Sequence, residues 1–124
     1  MQAIQMNDLL RLTEELSNKT QSCSLSFSTY LSWSRLNLNF EENLEIIGIL
    51  SGGNEAEGDI YAGYDSNNYW SPNFPIDLRL YPYSGCYVCK HIQTGCYFLI
   101  YTELGGHGAE KRCRLVQRRL ILVI

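Results

Sequence analysis

Residues 83–98 read YSGCYVCKHIQTGCYF and hold three of the five cysteines of this 124-residue chain. The sequence QTG at 93–95 is typical of a three-residue hairpin turn, with Gly95 in the left-handed conformation. We therefore predict a hairpin in which Ile92 pairs with Cys96. Both faces of this hairpin are largely apolar, so we expect it to lie at the centre of a sheet that is covered on both sides.

The pair Cys86 and Cys89 has the Cys-x-x-Cys spacing of a metal or redox motif. Residues three apart in a strand point to opposite faces, so these two thiols cannot hold one zinc ion. No helix is predicted after Cys89 to lower a thiol pKa, as a redox motif requires. We predict reduced, buried thiols, with no metal and no cofactor, since an odd number of cysteines cannot pair completely within one chain.

The rest of the chain predicts one N-terminal helix and several strands. Leu9, Leu12 and Leu16 recur at helical spacing and indicate an amphipathic helix over residues 8–18. Strands are predicted at 23–33, 36–40, 44–50, 59–64, 76–80, 86–92, 96–102 and 113–124, with loops at 51–58 and 65–75. A helical turn from residue 41 and a helix over 109–120 are open alternatives. The fold class expected is α+β, a single domain over residues 1–124 with the helix packed on a mainly antiparallel sheet of about six to seven strands.

Composition excludes several classes of protein. Hydrophobic residues make up 45% of the chain, which is typical of a globular domain rather than a disordered one. The N-terminal stretch from Met1 to Leu25 lacks a signal-peptide pattern. No apolar run approaches the roughly 20 residues that a membrane helix needs. We therefore expect a soluble, cytoplasmic protein.

Charge is distributed unevenly along the sequence. From Leu36 to Leu78 there are eight acidic residues and no Lys or Arg, whereas Lys111 to Arg119 contains five basic residues in nine and no acid. Strand alternation would place Arg112, Arg114 and Arg118 on one face. A sequence pI near 5.3 argues against a dedicated nucleic-acid binder. We interpret the basic run as a solvated edge or as an intramolecular partner of the acidic segment.

The segment 52–74 combines acidic and aromatic residues and contains no basic residue. Tyr and Trp are enriched in interface hot spots, and acidic side chains steer a basic partner. The alternative is a set of core aromatics beside a solvated acidic loop. We hypothesise a protein-binding module of inhibitor or immunity type, not an enzyme, which neutralises a basic partner such as a nuclease-type toxin. The predicted contact residues are Glu55, Glu57, Asp59, Asp65, Tyr69, Trp70 and Phe74.

The glycine-rich stretch 102–112 supports a second hypothesis. Glu103, His107 and Glu110 could line a pocket of a small enzyme or ligand-binding domain, with Glu103 and His107 as acid and base. The simpler interpretation is a turn between two long antiparallel strands. A third hypothesis is a homodimer formed by pairing of the terminal strand 120–124.

Overall fold

The computed structural model of the chain describes residues 2–14, 23, 26–51, 71–78, 80, 82–105 and 108–122. Within these ranges the helices are α1 (Met6–Glu14), α2 (Leu38–Glu41) and two 3-10 helices (Ser28–Tyr30 and Arg118–Leu120). The strands are β1 (Ala3–Ile4), β2 (Ser34–Arg35), β3 (Leu44–Leu50), β4 (Ile76–Asp77), β5 (Tyr87–His91), β6 (Tyr97–Gly105), β7 (Gly108–Leu115) and β8 (Ile121–Leu122). The strand predicted at 59–64 lies outside the described residues.

Six of these strands form one sheet in the order β1-β3-β5-β6-β7-β2. Only β1 and β3 run parallel in it, and every other neighbouring pair is antiparallel. β4 and β8 form a separate parallel pair. One N-terminal helix on a mainly antiparallel sheet confirms the predicted α+β class.

The hairpin at the centre of the sheet differs from the prediction by one residue. His91, not Ile92, pairs with Cys96, because the His91 backbone N–H donates to the Cys96 carbonyl at 2.7 Å and the loop holds four residues. The Thr94 backbone N–H donates to His91 Nδ1 at 3.2 Å, which closes the turn one residue earlier than predicted. Gly95 has the expected positive φ, 78°.

This slip changes which side chains share a face, because side chains in a strand alternate between the two faces. The prediction placed Phe98 with Cys86, and Leu99 with Cys89. In the structure Leu99 packs with Cys86 and Val88 in one core, and Phe98 packs with Cys89 in the other. The hairpin is nevertheless covered on both faces, as expected: Phe98 and Leu99 are both fully buried.

The N-terminal helix covers the first of these cores. Met6 and Leu9 are buried there, and the helix begins two residues earlier than predicted. Its start is stabilised by Asp8, whose carboxylate accepts a hydrogen bond of 3.0 Å from the Gln5 backbone N–H. The predicted continuation of the helix to residue 18 lies outside the described residues.

The predicted strands at 23–33 and 36–40 are wrong. Among the described residues of these ranges the structure has the first 3-10 helix and most of α2, and the short strand β2 lies between the two predicted strands. α2 begins after Asn37, because the Asn37 side chain accepts a hydrogen bond of 2.8 Å from the Asn39 backbone N–H. Phe27, Tyr30 and Phe40 each lie edge-on against Phe98 at centroid distances of 5.1–6.1 Å. This segment is therefore a layer over the second core, and aromatic packing outweighs the local alternation.

The C-terminal part is a strand only in its first half. β7 pairs with β6 along its whole length, so the alternative of a helix over 109–120 is wrong. The predicted strand 113–124 stops at Leu115 and resumes as β8, which pairs with β4. The strand predicted at 76–80 is reduced to β4. Asp77 is fully buried, although alternation placed it on the solvent side.

Candidate functional site

Of the seven predicted contact residues in the segment 52–74, Phe74 alone is described, and it is not a surface residue. Its side chain is 3% exposed and lies in the first core. Its carbonyl accepts a hydrogen bond of 2.5 Å from Arg114 Nη2. The prediction that Phe74 contacts a partner is therefore wrong, because the ring completes the core. The remaining six, Glu55, Glu57, Asp59, Asp65, Tyr69 and Trp70, lie outside the described residues.

The glycine-rich stretch joins β6 to β7, as the simpler interpretation expected. Glu103 and Glu110 lie directly opposite each other in this hairpin. The Glu110 carboxylate binds Arg35 at 2.9 Å and Arg112 at 3.1 Å. Its contacts thus link β7 to the edge strand β2. His107 lies outside the described residues.

The basic run is largely used inside the fold. Lys111 Nζ lies 2.6 Å from a carboxylate oxygen of Glu41, which belongs to the acidic segment. Arg119 Nη2 donates to Asn73 Oδ1 at 3.0 Å. Arg114 is 1% exposed, so the prediction of a solvated face is wrong for this arginine. The intramolecular interpretation is confirmed for the Lys111–Glu41 pair.

Arg114 is the residue whose role the sequence analysis missed. Its guanidinium donates to the Tyr83 hydroxyl, to the Phe74 carbonyl and, through Nε at 3.3 Å, to the Leu31 carbonyl. The Tyr83 hydroxyl also accepts from Trp33 Nε1 at 3.2 Å. Burial raises the pKa of Tyr83, so this hydroxyl stays protonated. Arg114 thereby holds two loops against the sheet, and its only sequence signal is its position between the apolar residues Cys113 and Leu115.

Two of the five cysteines form a disulfide, contrary to the prediction that all are reduced. Cys23 and Cys96 are joined with a Cα–Cα distance of 6.3 Å and a sequence separation of 73. The one-residue slip of the hairpin is what turns Cys96 toward the face that Cys23 covers. The bond ties the segment that starts at Cys23 to the end of the central hairpin.

The other three cysteines are buried thiols, as predicted. Cys86 and Cys89 lie in different cores, which confirms that they occupy opposite faces of the sheet. Burial raises the pKa of Cys89 to about 12 and raises those of Cys86 and Cys113 as well. A thiol with a raised pKa is a poor nucleophile and a poor metal ligand at neutral pH. In the part of the chain that the structure describes, no three His, Cys, Asp or Glu side chains form a metal site.

An exposed apolar surface lies where β3 meets the central hairpin, and sequence reasoning missed it. Ile46 is 52% exposed and Ile92 is 63% exposed, although aliphatic side chains of this size are normally buried. Tyr87 is exposed on the same side of the sheet as Ile46. Glu45, the residue before Ile46 in β3, is exposed on the opposite side, because side chains alternate along a strand. This part of the sheet therefore offers apolar contact area on one face and negative charge on the other.

Among the described residues, no helix is long and apolar enough to cross a membrane. Comparison with known proteins finds no matching family model, no matching curated protein and no matching solved structure. The function is therefore argued from the chain's own charges and contacts.

Proposed function

We propose that the chain is a protein-binding module of inhibitor or immunity type that neutralises a basic partner protein, such as a nuclease-type toxin. The observation that supports this proposal is which charged side chains are paired or buried and which are exposed. In the basic run, Lys111 is paired with Glu41 and Arg114 is buried. Glu42 and Glu45 are exposed and form no ion pair with another described residue. Glu42 and Glu45 are thus available to attract a basic surface.

The described chemistry favours binding over catalysis. The three free thiols are buried and have raised pKa values, so they are poor nucleophiles. Glu110, one of three residues in the alternative enzyme hypothesis, has its carboxylate between two arginines. Each of its two oxygens contacts an arginine, so the carboxylate joins β7 to β2.

The proposed mechanism is occlusion of the partner's basic surface combined with charge complementarity. The acids steer the encounter, and the aromatic side chains supply buried contact area at the centre of the interface. The contact residues retained in this proposal are Glu55, Glu57, Asp59, Asp65, Tyr69 and Trp70, with Phe74 excluded because it is buried.

Affinity capture with the full chain, followed by mass spectrometry, tests this function. We expect a captured protein whose sequence pI is above about 9 and whose toxic or nuclease activity is blocked by the purified chain. Trp70→Ala should weaken that complex by at least about 30-fold, since an aromatic hot spot contributes about 2 kcal/mol or more. Leu104→Ala is the matched control, because Leu104 is 80% exposed on the β6–β7 hairpin. Capture of acidic proteins only, or equal effects of the two variants, would contradict the proposal.

A cytoplasmic location belongs to the same proposal, and the disulfide provides its test. Disulfides persist mainly in oxidising compartments, whereas cytoplasmic thiols are kept reduced. Trapping the thiols by alkylation in intact cells should find Cys23 and Cys96 reduced if the protein is cytoplasmic. An oxidised pair would place the working protein in an oxidising compartment and would leave the binding proposal unchanged.

A further inference from the structure

Part of β3 has no neighbouring strand on one side among the described residues, and we call this part its open edge. The parallel strand β1 covers only its end, where Ala3 pairs with Ile49 and Ile4 with Leu50. Among the described residues, no strand pairs with that edge of β3 from Leu44 to Ile46. The chain just before β1 passes close to Gly48, where a Cβ atom would lie 2.5 Å from the Gln2 carbonyl oxygen.

The pairing of β3 with β5 shows which backbone N–H and C=O groups of β3 point toward the open edge. The Ile92 N–H donates to the Asn43 carbonyl at 2.9 Å, and Glu45 pairs with Lys90 two residues further along. In an antiparallel ladder, alternate residues direct their N–H and C=O groups toward the same neighbour. The backbone N–H and C=O groups of Leu44 and Ile46 therefore point away from β5, toward the open edge.

Proteins normally protect such an edge with charged side chains, especially Lys, with Pro, with a bulge or by keeping it short. Leu44–Leu50 contains no Lys or Pro, and its bulge lies beyond the open part, between Ile46 and Gly48. The open part is short and carries one charge, Glu45, which repels an acidic strand and attracts a basic one. The Ile46 side chain is instead half exposed, with Glu45 exposed next to it. These are the features of a strand that accepts another strand.

We propose that the open edge of β3 at Leu44–Ile46 is the docking site for an extended basic segment of the partner protein, which adds to the sheet as a further strand. The basic character of that segment rests on the proposed function. Glu45 is exposed on this edge and Glu42 is exposed just before β3 begins, and residues 36–78 contain no Lys or Arg. Lys or Arg side chains on the added strand would therefore find opposite charge.

The same charges argue against a second copy of this chain at the edge. Antiparallel pairing of two such edges about a twofold axis at Glu45 would place Glu45 opposite the same residue of the second copy. Like charges directly opposite each other in a sheet are destabilising. A partner strand with Lys or Arg at that position turns this repulsion into attraction.

Hydrogen exchange measured by NMR on the full chain tests the docking site, with the synthetic peptide KVKIKVK as the probe and EVEIEVE as its charge-reversed control. KVKIKVK should slow exchange of the Leu44 and Ile46 amides by about tenfold or more at a peptide concentration of about 1 mM, as expected for a strand that binds with a Kd near 0.1 mM. The Glu45 amide, which faces β5, should change little. EVEIEVE should leave all three amides unchanged.

Ile46→Lys should weaken KVKIKVK binding by about tenfold, because it removes an apolar contact and adds a like charge. Leu104→Lys, at another exposed apolar position on a different hairpin, should leave binding unchanged. Unchanged slow exchange of the His91 amide, which donates to the Cys96 carbonyl at 2.7 Å, shows that free Ile46→Lys is folded. If that variant does not fold, the exchange result with the unaltered chain and its two peptides decides alone.

Three results would overturn the docking site: no slowing of exchange at Leu44 and Ile46, equal slowing by both peptides, or protection of these amides in a dimer of the free chain. The last result, seen by light scattering, would assign the edge to a second copy. The function is tested separately. If a basic partner is captured and depends on Trp70 but not on Ile46, the function stands and the docking site falls. If KVKIKVK docks but no basic partner is captured, the edge accepts basic strands and the proposed function falls.

Discussion

Replacing Arg114 with Met should lower the free energy of unfolding by about 3–5 kcal/mol, because truncating a buried, hydrogen-bonded charge leaves its partners unsatisfied. Nη1 donates to the Tyr83 hydroxyl, and Nη2 lies 2.5 Å from the Phe74 carbonyl; both bonds are buried. Each acceptor that loses a charged donor costs about 1–3 kcal/mol. The bond of 3.3 Å to the Leu31 carbonyl is partly buried and costs less, because water can replace the donor. Met restores similar volume, so the loss reports the hydrogen bonds rather than a cavity.

Urea unfolding of the oxidised protein, followed by tryptophan fluorescence, measures this change. Trp33 contacts Tyr83 and therefore reports the same region. The midpoint should fall while the slope stays the same, and the melting temperature should drop by roughly 10 °C for a chain of this size. Arg114→Lys should be intermediate, because one ammonium group retains the charge but lacks the fork of donors.

Arg35→Met is the matched control for the loss of an arginine. Its side chain is 82% exposed and forms an ion pair of 2.9 Å with Glu110. An exposed pair of this kind contributes less than about 1 kcal/mol, so the control should unfold close to the unaltered protein. The reasoning is refuted if Arg114→Met is as stable as the unaltered protein or more stable. Desolvation of the guanidinium would then outweigh its hydrogen bonds.

Three further predictions concern the end of the central hairpin. The disulfide joins residues at a sequence separation of 73. Cys23→Ala combined with Cys96→Ala should therefore lower the unfolding free energy by about 3–4 kcal/mol, and a reductant should then have no further effect on urea unfolding. Burial lowers the pKa of His91, so the unfolded chain takes up the proton first; stability should be full above a pH of about 6.5 and should decline below it. His91→Gln should remove most of the difference between the urea midpoints at neutral and mildly acidic pH. If that difference is unchanged in the variant, His91 is not the residue responsible for the pH dependence. Gly95 has a φ of 78°. An alanine at Gly95 should cost about 1–2 kcal/mol in the same assay, because its Cβ disfavours the left-handed conformation, and an unchanged midpoint would show that the turn relaxes.

The sequence alone predicted the elements whose patterns are local. The run LEIIGIL at 44–50 is β3 with the predicted bounds. The strands around Gly95 form the central hairpin, and strand parity placed Cys86 and Cys89 in different cores. These predictions hold because a short apolar run and a glycine turn constrain the backbone through neighbouring residues.

The sequence predicted the candidate site less well than it predicted the fold. Phe74 has the composition and loop context of a contact residue, but its ring is in the core. The open part of β3 depends on how far β1 extends along it, and β1 reaches only Ile49 and Leu50. The exposure of the Ile46 side chain depends on which distant segments cover that face of the sheet, and nothing within residues 44–50 encodes it.

What the sequence determined by itself is the fold class, the apolar centre and the uneven charge along the chain. Tertiary structure decided the register of the hairpin, and with it the face that carries Cys96 and the partner of Cys23. It also decided that Arg114 is buried rather than solvated. The physical reason is the same in each case: a strand's side chains change faces when its pairing shifts by one residue, and only contacts between distant segments choose between the two arrangements.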